Sequence, residues 1–214
     1  MTQQYYLGVA FRRGSPKDWH DLLVMETTRG PYVHSELFLQ RGKASRFYTS
    51  IDNPNRPCAI TPTTRRLPLP ANWEALRFPV SQRGYKAAYA LILQLMTLPI
   101  PYNSHDLWQC AIPLMLPYES DLDCMNPLSW AGAGVFCSQL CILVLRRLAM
   151  QGVVHTEPSL LQALVASNSR GCSPNALHQL LLPPPEKKGT KHGVHPNGGP
   201  GEQTRQTCPK SPWP

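Results

Sequence analysis

The 214-residue chain has no apolar run approaching the roughly 20 residues that a membrane-spanning helix needs. Ala111 to Leu116 is too short and contains Pro113, and the run from Cys137 to Leu145 ends in Arg146-Arg147. No long apolar stretch follows Met1, which predicts that no secretory leader precedes the first strand. Neither a Gly-x-x-x-x-Gly-Lys-Ser/Thr loop nor a Gly-x-Gly-x-x-Gly turn occurs, which argues against the common phosphate and dinucleotide cradles. Paired Cys-x-x-Cys steps, internal repeats and basic-aromatic interleaving of the single-strand-binding kind are also missing. Acidic residues are scarce, 13 against 21 Lys and Arg, and the excess is spread along the chain. That balance implies solubility and a weak preference for anionic surfaces such as phospholipid head groups or nucleic acid.

What is present is a set of seven irregularly spaced cysteines, an odd number that suits free thiols in a reducing, cytoplasmic compartment. Tyr5 to Phe11 reads as a strand, and Ser15-Pro16-Lys17-Asp18 reads as a helix start with Ser15 as N-cap, the helix running to about Glu26. Gly30-Pro31 breaks the chain before a strand through His34. Arg41-Gly42-Lys43 turns into a second strand, Ser45 to Ile51, and shorter strands are expected at Cys58 to Thr61 and Ala75 to Val80. Ser81 caps a helix to about Leu98, and a short helix is expected from Asn103 or Ser104. The flexible run Trp130 to Gly134 leads into a helix from Cys137 to about Gln151, which Gly152 ends. Two more helices follow, one after Glu157-Pro158-Ser159 and one from Ser173-Pro174-Asn175 to Leu182. Strands first and helices later indicate an α+β fold, an antiparallel sheet packed against helices, over residues 1–182. Residues 183–214, rich in Pro, Gly and Lys, carry too few apolar groups to offset their ordering entropy and are expected to be a disordered tail.

Cys137 stands where a helix begins, and backbone N–H groups there favour a thiolate. His34 is the candidate base, and Glu36, two residues on, projects from the same strand face. Side chains two residues apart on a strand are separated by roughly 7 Å, so contact between them needs a suitable rotamer. Thr49 and Ser50 on the next strand are the other candidates for the group that orients the imidazole, and the backbone N–H of Cys137 is the expected oxyanion donor. A cysteine opening an apolar helix is more commonly a small buried hydrophobe. A third alternative makes Cys137 and Cys141 zinc ligands with Cys110, Cys124 or a histidine. The favoured reading has no metal and no cofactor. His20-Asp21 and His105-Asp106 read as surface pairs, and His155, His178, His192 and His195 as incidental.

The order of these segments adds a resemblance. His34-Ser35-Glu36-Leu37, then Pro101-Tyr102-Asn103, then Phe136-Cys137-Ser138-Gln139-Leu140, and last Ser173-Pro174-Asn175-Ala176-Leu177-His178 resemble the circularly permuted papain-like hydrolases over about residues 4–182. These are relatives of the NlpC-type peptidases that include the YiiX-like proteins and, more distantly, lecithin:retinol acyltransferase; in them the histidine precedes the cysteine, as here. The resemblance implies Cys137 as nucleophile and His34 as base, with Glu36 as candidate third member and Tyr102, Asn103 and Ser138 near the substrate. Gln139 departs from the pattern, standing where an acidic residue commonly follows Cys-Ser. The implied activity is hydrolysis or transfer of an acyl group from a peptide, amide or lipid ester through a thioester. The competing class is a non-catalytic lipid- or protein-binding module on the same fold. Members also occur in large DNA viruses, where virion or host-cell association would apply.

Overall fold

The computed structural model describes residues 4–105, 121–154 and 158–182. Within them a five-stranded antiparallel sheet comprises β1 (Tyr5–Arg13), β2 (Tyr32–Arg41), β3 (Ala44–Ser50), β4 (Ile60–Thr63) and β5 (Trp73–Val80), in the order β4-β3-β2-β1-β5. Six helices accompany it: α1 (Trp19–Thr28), α2 (Gln82–Thr97), α3 (Leu128–Ala133), α4 (Cys137–Met150), α5 (Pro158–Ala166) and α6 (Pro174–Leu181). The architecture is α+β, as the strand-then-helix order predicts. No helix among the described residues is long and apolar enough to cross a membrane. The tail from residue 183, Cys110, and the expected continuation of a helix beyond Ser104-His105 lie outside the described residues.

The sheet is buried on both faces, unequally. Leu7, Val9, Phe11, Leu37 and Leu39 point into the main core with α2, α4 and α6. Ala10, Phe38 and Phe47 form a small second cluster under Leu67, Leu69 and Trp73. Helix α4 is the centre of the main core: Cys137 through Arg146, then Leu148 and Ala149, are all buried, as expected of a helix that is apolar around its whole circumference. Each fully buried leucine or valine there contributes about 1.5–3 kcal/mol relative to exposure. Arg146 is tolerated inside because its guanidinium meets Asp121 at 2.7 Å and donates to the Leu164 carbonyl at 2.8 Å.

Helix starts follow side-chain capping, with one correction. Ser81 and Ser173 accept from Gly84 N–H and Ala176 N–H, as expected. Asp18, not Ser15, caps α1, accepting from His20 and Asp21 N–H groups. The Ser15 hydroxyl and carbonyl accept from the Lys17 and Asp18 N–H groups instead, so residues 15–18 form a turn before the helix. Asp21, expected on the surface, is buried because Arg12 on β1 reaches it with two hydrogen bonds, at 2.7 and 3.1 Å. The run expected to be flexible before Cys137 contains α3, whose Trp130 is fully buried and donates its indole N–H to the Asp123 carbonyl. His178 is not incidental: it contacts Glu74 at 3.0 Å and packs edge-on to Phe11.

A long-range clamp ties the two ends of this unit together. The buried Asn175 amide, at the start of α6, accepts from Tyr32 N–H and donates to the Tyr32 carbonyl, both at 2.9 Å. It takes the place of a neighbouring strand at the first residue of β2, two residues before His34.

Candidate active site

The β2–β3 ladder runs from Arg41 opposite Ala44 to Leu37 opposite Tyr48, and it stops before reaching His34. Beyond that point the two strands are no longer paired. His34 and Glu36 alternate with Ser35, which faces α4 and lies 3.8 Å from the Cys141 sulfur. To this end of the two strands comes the segment that precedes α4. The Val135 carbonyl accepts from the Ser50 hydroxyl at 2.6 Å and lies 3.4 Å from the Asn103 N–H, while Val135 N–H donates to the Pro101 carbonyl at 3.0 Å.

Gly134 makes that approach feasible. Its φ is +74°, and a Cβ there would stand 2.8 Å from the Pro101 carbonyl oxygen. Asn103 braces the same turn, donating its side-chain amide to the Ala133 carbonyl at 3.0 Å. The Gln139 side chain accepts from the Phe136 N–H at 3.2 Å, one half of a capping box, so an amide at this position closes the helix start without a charge. Ser138 is fully buried, and its hydroxyl donates to the Cys172 carbonyl at 2.6 Å. Asn103 and Ser138 therefore use their side chains to hold the backbone around Cys137.

Folding brings Cys137 and His34 close enough for each to shift the ionisation of the other. Burial alone would push the Cys137 thiol up; the imidazolium of His34 and hydrogen bonds from Ser35 outweigh it and hold the thiol below its ordinary value. Burial likewise pulls His34 down, but the Cys137 sulfur and Glu36 raise it to about 9. Each group thus favours the charged form of the other. Two groups hold the His34 imidazole: its Nε2 lies 3.1 Å from the Thr49 hydroxyl and 3.7 Å from Glu36 Oε1.

Of the three groups weighed for orienting the imidazole, Glu36 and Thr49 are beside it, while Ser50 is bonded to Val135. Glu36 is only 2% exposed. Burial would push its carboxyl up; His34 and Arg65 hold it down. Arg65 grips both carboxylate oxygens, at 2.9 and 3.1 Å, and its guanidinium lies 3.6 Å above the Trp73 ring, which in turn meets His34 edge-on. Sequence reasoning missed Arg65 and Trp73. A buried carboxylate requires a partner, but nothing local points to a cation 29 residues away.

Tyr102 packs against Phe136 and Cys137, and burial together with the neighbouring sulfur pushes its phenol well up, keeping it protonated. Among the described residues, no group of three or more His, Cys, Asp or Glu side chains is arranged to hold a metal ion. The arrangement can hold a thiolate beside a proton-carrying imidazole, with the helix start supplying backbone N–H groups. Comparison of the chain with family models, curated proteins and solved structures finds no match to any of them.

Proposed function

We propose that the chain is a cysteine-dependent hydrolase or acyltransferase of the circularly permuted papain-like type, acting on an amide or ester carbonyl through a thioester. The observation that carries this reading is Cys137 at the first turn of a buried helix together with His34 held by Thr49 and Glu36, with electrostatics that favour the thiolate and the imidazolium. The Cys137 thiolate attacks the carbonyl carbon, and the carbonyl electron pair moves onto oxygen, facing the Cys137 N–H. Collapse of that intermediate expels the amine or alcohol, which takes its proton from His34. Water or a second acceptor then gives a proton to His34 and attacks the thioester, releasing the acyl product and restoring the thiolate. Glu36 and Thr49 keep the ring in line through both steps, and Tyr102 flanks the arriving carbonyl.

The test is turnover of a chromogenic acyl ester and a matching anilide by the wild type and Cys137→Ala. The variant should retain its circular dichroism and lose turnover and the acyl adduct seen by mass spectrometry. Full activity in Cys137→Ala would refute the proposal. A non-catalytic binding module is the second reading, favoured by the 3% exposure of Cys137. It predicts that Cys137 alkylates no faster than the other thiols at neutral pH.

A further inference from the structure

A concavity of about 420 Å³ opens where β4 leaves the edge of β3. It lies between β3, residues 62–66 and the outer side of α2. Three guanidiniums line it, Arg46, Arg65 and Arg66, and none of its lining residues is acidic. Arg65 is neutralised by Glu36 on its other side. Arg46 rests on Tyr89, its Cζ 5.1 Å from the ring centroid and its Nη1 2.5 Å from the hydroxyl, and Arg66 is exposed. Neither has a carboxylate partner among the described residues, so two cationic forks face one space without a counter-charge. Leu93, 42% exposed, and Met96 form an apolar wall beside them.

We infer that this cleft binds a phosphomonoester carrying an apolar substituent, the phosphate on Arg46 and Arg66 and the substituent against Leu93 and Met96. Guanidinium forks match phosphate oxygens in pairs, and several of them around one point suit a group with three terminal oxygens. The volume falls within the range of small-molecule sites, and a wall of an exposed leucine and a half-buried methionine gains nothing from a bare inorganic ion. The inference does not depend on the chemistry of Cys137, since the binding it predicts survives Cys137→Ala.

The test is calorimetric binding of hexyl phosphate, inorganic phosphate and hexanol to the full chain at about 0.15 M salt, where diffuse attraction to a basic protein is screened. Hexyl phosphate should bind saturably, at least about tenfold tighter than inorganic phosphate, as burial of two or more methylenes implies. Hexanol should not bind measurably. Arg66→Gln should weaken hexyl phosphate by about tenfold, the effect of losing one charge-assisted contact, and Arg46→Gln should act likewise. Arg77→Gln, which removes an equal charge from β5, should leave affinity unchanged. Sedimentation with phosphatidic acid vesicles separates the sources: Arg66-dependent capture identifies a lipid headgroup, and Arg66-dependent binding of hexyl phosphate alone identifies a soluble ligand. Binding that neither Arg66→Gln nor Arg46→Gln reduces, or that is no tighter for hexyl phosphate than for inorganic phosphate, would overturn the inference.

Discussion

Cys137 and Cys141 stand one turn apart on the same buried helix, yet burial is only half of what sets them apart. Cys141 has burial and the nearby Cys137 sulfur against ionisation, so its thiol is pushed well up; Cys137 has the His34 imidazolium, so its thiol is held down. Iodoacetamide should therefore label Cys137 well below pH 8.5, near which a free thiol titrates, and leave Cys141 untouched. His34→Ala should slow that labelling at pH 6.5 by about tenfold or more, read by peptide mass spectrometry. Stability has a matching signature. A histidine raised to about 9 lends stability that is complete below its ordinary value of 6.5 and is lost as pH rises through about 9. A depressed thiol lends stability that is present above its ordinary value of about 8.5 and is lost as pH falls through its folded value. The two contributions slope in opposite directions, the thiol's rising with pH and the imidazole's falling. The stability difference between wild type and the Cys137→Ala/His34→Ala variant should shrink as pH rises from about 8.5 through about 9, where only the imidazole still titrates, as measured by urea unfolding. Arg65 supplies a further residue-scale expectation. Arg65→Ala removes the two-pronged partner of an almost wholly buried carboxylate and leaves it only His34 and Thr63, so it should cost about 3 kcal/mol, whereas Arg65→Ala combined with Glu36→Gln should recover part of the loss.

At the scale of elements, the site exists because a ladder ends early. Were β2 and β3 paired through His34, the loop carrying Val135 would have no room to enter and Ser50 could not hold it. Gly134→Ala should destabilise the fold by about 1–3 kcal/mol, because the positive φ and the Pro101 carbonyl both oppose a Cβ; it should also slow Cys137 alkylation, since the displaced loop leads directly into α4. This level of organisation was partly readable in advance. The Ser81 and Ser173 caps, the α4 start at Cys137 and its stop before Gly152 follow from local chemistry, and the alternation of β2 places His34 and Glu36 on one side. Asp18 displaced Ser15 as a cap because both types of side chain accept N–H bonds equally well and only the turn decides which one meets the helix. Helix α3 went unseen because its small residues read as flexible, while its ordering comes from Trp130, buried by tertiary contacts. The orienting groups around His34 were narrowed only by packing, since a 3.1 Å approach from Thr49 depends on how β3 leaves β2.

At the scale of the molecule, the described unit is closed by contacts between its two ends. Asn175 on α6 satisfies both backbone groups of Tyr32 on β2 and also donates to the Thr28 hydroxyl. Asn175→Ala strands buried polar groups at Tyr32 and should cost about 1–3 kcal/mol, with faster amide hydrogen exchange at the start of β2 as its local mark; Asn175→Asp should restore only the accepting half. Sequence inspection gave no hint of this pairing, because 143 residues separate the partners and an asparagine after a helix-opening proline is accounted for by turn chemistry alone. The clamp also imposes a schedule on biosynthesis. A ribosome finishes the histidine strand early and the cysteine helix later, but the amide that secures the strand's first residue emerges last of the three. A nascent polypeptide halted before residue 175 thus carries His34 and Cys137 without the tether that fixes Tyr32, and the order of translation delays the securing of that strand's start until this unit is nearly complete.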